Sequence, residues 1–214
     1  VSQEGRRAKR ASKVVLQLYR EHAPLVAEAV ATMGVTCKEG CAHCCTLPAT
    51  ATIPEMVPVV EYLTSRCDWE QRRPALEREL VKQLTAFAGV NVLDERERVA
   101  FFQRQLPCMF LTPDRRCEVY AVRPTVCRYH MVVSPPENCE LGPGAEPKPI
   151  ALVDLRKIEH ATALAGAQAF GSLTGGPIPL VFVLAAKALG VRLDVPAALL
   201  DGVTMVHMRV EVRA

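Results

Sequence analysis

Four cysteines fall within nine residues of this chain, in the run Cys37-Lys-Glu-Gly-Cys41-Ala-His-Cys44-Cys45. Five more follow at Cys67, Cys108, Cys117, Cys127 and Cys139. A disulfide framework is a poor account of them. The total of nine is odd, and a bridge between neighbours such as Cys44 and Cys45 is strained by the geometry a disulfide demands. At 214 residues the chain can bury a full core without covalent staples. The basic stretch Arg6, Arg7, Lys9, Arg10 and Lys13 is not followed by a small-residue cleavage site, so it does not read as a secretory signal. A mitochondrial presequence would share its Arg-rich character, but the stretch runs into what reads as a domain helix. A reducing, cytoplasmic setting is expected, and there clustered cysteines point to metal or redox chemistry.

The rest of the composition narrows the class. Half the residues are hydrophobic and 23% are charged, a globular balance that favours one domain, or one domain with an appendage. A net charge of +3 is too weak to argue for nucleic acid, and 5% aromatics argue against a stacking platform for single strands. Residues 1–20 hold six Lys or Arg against Glu4, which reads as a solvated helix face. No apolar run reaches the length of a membrane span; the best, Ile178 to Val191, is short and carries Lys187.

Apolar spacing predicts helices over 6–33, 54–66, 69–87, 95–105, 154–170, 179–189 and 196–208. Pro24 should kink or divide the first, and Gly34 should stop it. Pro54 suits the first position of the second helix, and Asp68 should cap the third. Leu76, Leu80, Leu84 and Phe87 mark the buried stripe of that third helix. Cys67 stands alone beside it and reads as a half-buried small apolar residue. Ser134 to Pro149, with five prolines and two glycines, reads as an extended crossing segment. There is no internal repeat and no alternation of strand and helix. The expected fold is mainly α, a helical domain with cysteine-rich metal-binding loops between helices. Residues 1–149 would form the cysteine-cluster domain and 150–214 a C-terminal helical cap packed on it, the two making one compact unit.

Tetrahedral zinc needs four ligands, usually in two short-spaced pairs. A cubane iron–sulfur cluster also needs four, often three from one run and one from far away. Cys37, Cys41 and Cys44 fit the three-from-one-run pattern, and so do Cys41, Cys44 and Cys45. The side chains of adjacent Cys44 and Cys45 should diverge, which suits different irons of one cluster better than one zinc. In Arg123-Pro-Thr-Val-Cys127-Arg128, Pro124 should open a helix and put Cys127 in its first turn. The helix dipole and Arg128 would then stabilise a thiolate there. Four thiolates on zinc or on an oxidised cubane carry about −2 by formal counting, which Arg123 and Arg128 could offset. His43 and His130 lie beside these cysteines, in supporting rather than ligating positions.

The blocks Cys37-x3-Cys41-x2-Cys44-Cys45, Pro107-Cys108-Met-Phe110-Leu111 and Cys117-Glu-Val-Tyr120-x2-Arg123-Pro124-x2-Cys127-Arg128 resemble the bacterial cysteine-cluster family often called YkgJ-like. Its members are described as zinc- or iron-chelating proteins. A similar cysteine pattern occurs in flagellin lysine N-methylases, which implies an iron–sulfur cluster. The resemblance covers about residues 35–130. It implies ligand candidates at Cys37, Cys41, Cys44, Cys45, Cys108, Cys117 and Cys127, with Cys139 as an eighth, enough for two four-thiolate sites or one cluster with spares.

Three function classes follow. The leading one is a cysteine-ligated metal protein, with an iron–sulfur cluster (4Fe-4S) ahead of zinc, serving redox chemistry, electron transfer or metal handling with a protein or redox partner. The second is an S-adenosylmethionine-dependent protein lysine methylase, although no Gly-rich strand-to-helix fingerprint is present. The third is a zinc-stabilised interaction module. A nucleophilic cysteine enzyme is weaker, because His43-Cys44 has no evident third member.

Overall fold

A computed structural model describes residues 2–140, 146–150, 155–171 and 174–207. The chain is mainly α-helical. Helix α1 spans Gln3–Thr32, and Ser2 caps it by accepting the Gly5 N–H at 3.0 Å. It runs unbroken through Pro24, so the expected division does not occur. Gly34 ends it as expected, in the left-handed conformation at φ 67°. Ala8, Ala11, Val15, Tyr19 and Ala29 form its buried face.

Helix α2 (Ile53–Thr64) is the centre of the molecule, with Met56, Val57, Val59, Val60 and Leu63 all buried. Its cap is Thr52, which puts Pro54 at the second helical position, one later than expected. Helix α7 (Ile178–Leu189) packs against α2 and buries Leu180, Val181, Phe182, Ala185 and Ala186. The two helices start alike. Strand β1 (Thr50–Thr52) runs into Ile53-Pro54, and strand β2 (Thr174–Pro177) runs into Ile178-Pro179. β1 and β2 pair antiparallel, with Thr50 opposite Pro177 and Thr52 opposite Gly175. A third strand, β3 (Val206–His207), adds on the far side of β2.

Helix α3 (Trp69–Phe87) buries the expected stripe of Leu76, Leu80, Leu84 and Phe87 into the same core as α2 and α7. Helix α4 (Glu95–Phe102) stacks Phe101 on Phe87 at 4.1 Å between ring centroids. It stops short of the expected end, and Gln105 beyond it takes a left-handed turn at φ 47°. Short helix α5 (Thr125–Tyr129) follows, then α6 (Leu155–Phe170) on α1 and α8 (Ala197–Asp201) near α3.

Three expectations need correction. The helix placed over 196–208 ends at Asp201; Gly202 interrupts it and the chain turns to form β3. Met208, its expected end, lies outside the described residues, as does Asp154, the expected start of α6. Gly175 and Gly176 lie in strand β2, although the apolar spacing pointed to helices alone. Cys67 is exposed between α2 and α3 rather than half-buried, because no helix face there carries it inward. Of the proline-rich segment, Pro136–Cys139 forms a 3-10 turn, Val132 bridges Pro149, and 141–145 lie outside the described residues. No helix among the described residues is long and apolar enough to cross a membrane.

Candidate metal centre

The loop 37–47 folds as a chain of tight turns. Cys41 N–H reaches Lys38 O, Cys45 N–H reaches Ala42 O and Leu47 N–H reaches Cys44 O, each at 3.0–3.1 Å. Gly40, at φ 87°, supplies the reversal that brings Cys41 back over the loop. A second set follows: Cys108 and Cys117 come from the segment between α4 and α5, and Cys127 from α5 itself. Cys108 N–H bonds Cys45 O at 2.7 Å, which joins the two sets by backbone. Buried Gln83 of α3 donates to Pro107 O and fixes the approach to Cys108. Leu111 and Cys117 face each other across an isolated bridge, and Glu118 N–H bonds Phe110 O at 2.8 Å. The Glu118 carboxylate, itself buried, meets Arg72 of α3 through Nε and Nη2 at 2.9–3.1 Å. That two-pronged contact pins Cys117 beside α3.

Six cysteines line one cavity of about 90 Å³: Cys41, Cys44, Cys45, Cys108, Cys117 and Cys127. A single water needs only about 10–15 Å³ on this measure, so the space takes several atoms. The remaining wall is largely apolar, with Leu47, Phe87, Phe101, Phe110 and Ile178. Cys37 and Cys139 stand outside it. Cys37 Sγ accepts the Val132 N–H at 3.3 Å. Cys139 is buried on its 3-10 turn, which is tied to the cysteine loop by His43 Nδ1 and Glu140 Oε1 at 2.6 Å. Both nevertheless feel the charge of Cys44, as do Cys45, Cys108, Cys117 and Cys127. Cys44 is therefore the hub of these seven.

Cys44 and Cys45 do not diverge as expected. Both line one cavity, and their nearness lowers the Cys44 pKa and raises that of Cys45. Elsewhere burial dominates. It pushes Cys108 up to about 12 and Cys139 up to about 11, and raises Cys37, Cys117 and Cys127. Cys127 does sit in the first turn of α5, yet its thiol is raised and not lowered. A five-residue helix has little dipole, and Arg128 turns away from it.

The two arginines part company. Arg123 lines the cavity, with its guanidinium carbon 3.9 Å from the centroid of the Tyr120 ring. Its attraction favours the thiolate at Cys37, Cys44, Cys117 and Cys127. Arg128 lies over the Tyr19 ring at 4.4 Å and donates to Ala121 O at 2.7 Å. Arg123 is thus the counter-charge to the cysteines, and Arg128 is a packing residue. Spacing alone treated them as equivalent.

The donor set fits a thiolate-held metal group. Six thiols, soft donors, share one apolar cavity, and the buried Nε of Arg123 and the buried Thr46 hydroxyl beside Cys45 have no hydrogen-bond partner. Such donors suit an anionic centre. As placed, no three Cys, His, Asp or Glu side chains among the described residues converge on a point where one ion would sit.

Reading the spacing alone missed Glu55, Gln83 and Tyr120. Only Glu55 had a signal, the Thr52-x-x-Glu55 pattern of a capping box.

No curated protein and no solved structure gives a significant match to the chain. A family model described as "CxxCxxCC: Putative zinc- or iron-chelating domain" matches residues 36–143. That span is half the chain and contains all eight candidate ligands, so the chain belongs to the CxxCxxCC family, the cysteine-cluster family its three blocks resemble.

Proposed function

We propose that this protein holds an iron–sulfur cluster in the six-cysteine cavity and serves redox chemistry, electron transfer or metal handling. The observation that carries the reading is the spread of the thiols around a space of several atoms. Zinc draws four sulfurs to about 2.3 Å from one point. A cubane is met by thiolates that each bind a different iron, so its ligands stand further apart. The cavity walls suit the second arrangement. The cluster ligands would be drawn from Cys41, Cys44, Cys45, Cys108, Cys117 and Cys127, with Cys37 and Cys139 beside them. When bound, such a cluster supplies one-electron chemistry. The chain's own contribution is to exclude water with Phe87, Phe101, Phe110 and Ile178 and to offset charge with Arg123.

Anaerobic purification followed by a visible spectrum and assay of iron, zinc and acid-labile sulfide on one sample tests this. A broad band near ~400 nm with matching iron and sulfide is the expected result. Colourless protein with stoichiometric zinc and no sulfide replaces it with the zinc-module reading. Replacing Cys44 by Ser should remove the bound metal; full retention would show that the ligands are wrongly assigned.

A further inference from the structure

The cysteine cavity has a neighbour. A second cavity of about 310 Å³ opens between residues 47–50, residues 92–98 and helix α5 with His130. Cys44 and Cys127 belong to the walls of both, so they form the partition between them. The volume lies at the small end of the range for organic ligands.

Its lining is apolar along Leu47, Pro48, Val92, Leu93 and Val126. Leu93 is 66% exposed, a large apolar side chain left at the rim. Among the described residues, the cationic or imidazole groups that face this space are Arg98 and His130. Arg66, Arg72 and Arg116 have carboxylate partners in the described structure. The Arg98 guanidinium has no ion pair and no side-chain hydrogen bond there, and neither does the half-buried imidazole of His130. Apolar walls with a few convergent polar groups are the usual make-up of a small-molecule site.

We propose that this second cavity binds a small organic carboxylate, with the carboxylate on Arg98 and His130 and the apolar body against Val92, Leu93 and Val126. One guanidinium fork matches one planar carboxylate. The apolar walls select an acid with a hydrocarbon body over inorganic phosphate. The ligand then lies against the far side of Cys44 and Cys127. Binding itself does not depend on the metal reading; only its contact with a metal centre does.

The test is calorimetry on the full chain, purified without oxygen, with hexanoate and benzoate as probes and 1-hexanol, benzyl alcohol and inorganic phosphate as controls. Metal content is assayed on the same sample. One-site binding of at least one acid is expected, weakened tenfold or more in Arg98→Gln, with the alcohols much weaker. Arg98 is on the surface, so the variant should fold, and its circular dichroism checks that. No saturable binding of either acid overturns the proposal. So does equal affinity in Arg98→Gln, equal binding of the alcohols, or displacement of the acid by phosphate. Acid binding by a sample without metal would uphold this site while removing the metal reading.

Discussion

Glu55 Oε1 accepts the backbone N–H of Thr125 at 2.8 Å, joining residues 70 positions apart. The same carboxylate takes the Tyr19 hydroxyl at 3.2 Å and, through Oε2, the backbone N–H and hydroxyl of Thr52 at 2.8 Å. It is almost fully buried. Burial, then the nearness of Glu55, pushes the Tyr19 pKa up, so the phenol stays a donor. One side chain therefore caps α2, anchors α1 and fixes the start of α5, two residues before Cys127. Glu55→Ala leaves four donors without their acceptor. It should destabilise the protein by about 3 kcal/mol, read from urea unfolding. An unchanged midpoint would show that the network carries no weight.

The division of labour between Arg123 and Arg128 gives a second expectation. If the cavity holds the proposed cluster, Arg123→Gln should lower its midpoint potential, on the order of tens of millivolts, because removing a positive charge disfavours the added electron. Arg128→Gln should leave the potential alone and lower the unfolding midpoint, since its contacts are the Tyr19 ring and Ala121 O. Equal potential shifts in both variants would contradict the geometry. Redox titration with urea unfolding of both variants separates the two roles.

The helices were legible because apolar spacing and Pro or Gly punctuation are local. The stripe Leu76, Leu80, Leu84 and Phe87 is buried as its period requires. The sheet was not legible. Its strands are two to four residues long, and Thr174-Gly175-Gly176-Pro177 becomes a strand only by pairing with residues 50–52, more than 120 positions away, and with β3. Of the eight cysteines that spacing and family resemblance singled out, six line one cavity. Its internal order was not legible. Rules for neighbouring side chains assume a regular helix or strand, and Cys44 and Cys45 sit in successive turns. Likewise, sequence position does not say that Arg123 stacks on Tyr120 and faces the sulfurs.

The raised thiols set a pH dependence. Cys108 is pushed up to about 12 and Cys139 to about 11, chiefly by burial, from an ordinary value of 9.0. In metal-free, reduced protein these groups hold protons that the unfolded chain gives up near pH 9. Their contribution is fully present below that pH and is lost as pH rises through the folded values. Cys44, lowered by the Cys45 thiol, acts in the opposite sense and below pH 9. The urea midpoint of metal-free protein should therefore fall between pH 9 and about 11. Metal-loaded protein should show the reverse trend, because ligation needs thiolates and protons compete with metal. A metal-free midpoint that rises across that window would contradict the burial of these thiols.

Metal removal should be felt unevenly. The segments 41–47 and 106–118 are irregular, and what closes them is the cavity, Gln83, Glu118 and the Cys108–Cys45 backbone bond. A bound metal group adds folding free energy to whatever it ties together. Ile178 and Pro179 line the same cavity, so the first turn of α7 belongs to the affected region although it lies far along the chain. Helices α1 and α6 pack on each other away from it. Hydrogen exchange on loaded and metal-free protein should show faster exchange at 41–47, at 106–118 and at the start of α7. Protection in α1 before Tyr19 should stay within error. Equal loss of protection in α1 would mean that the metal holds the whole fold rather than this centre.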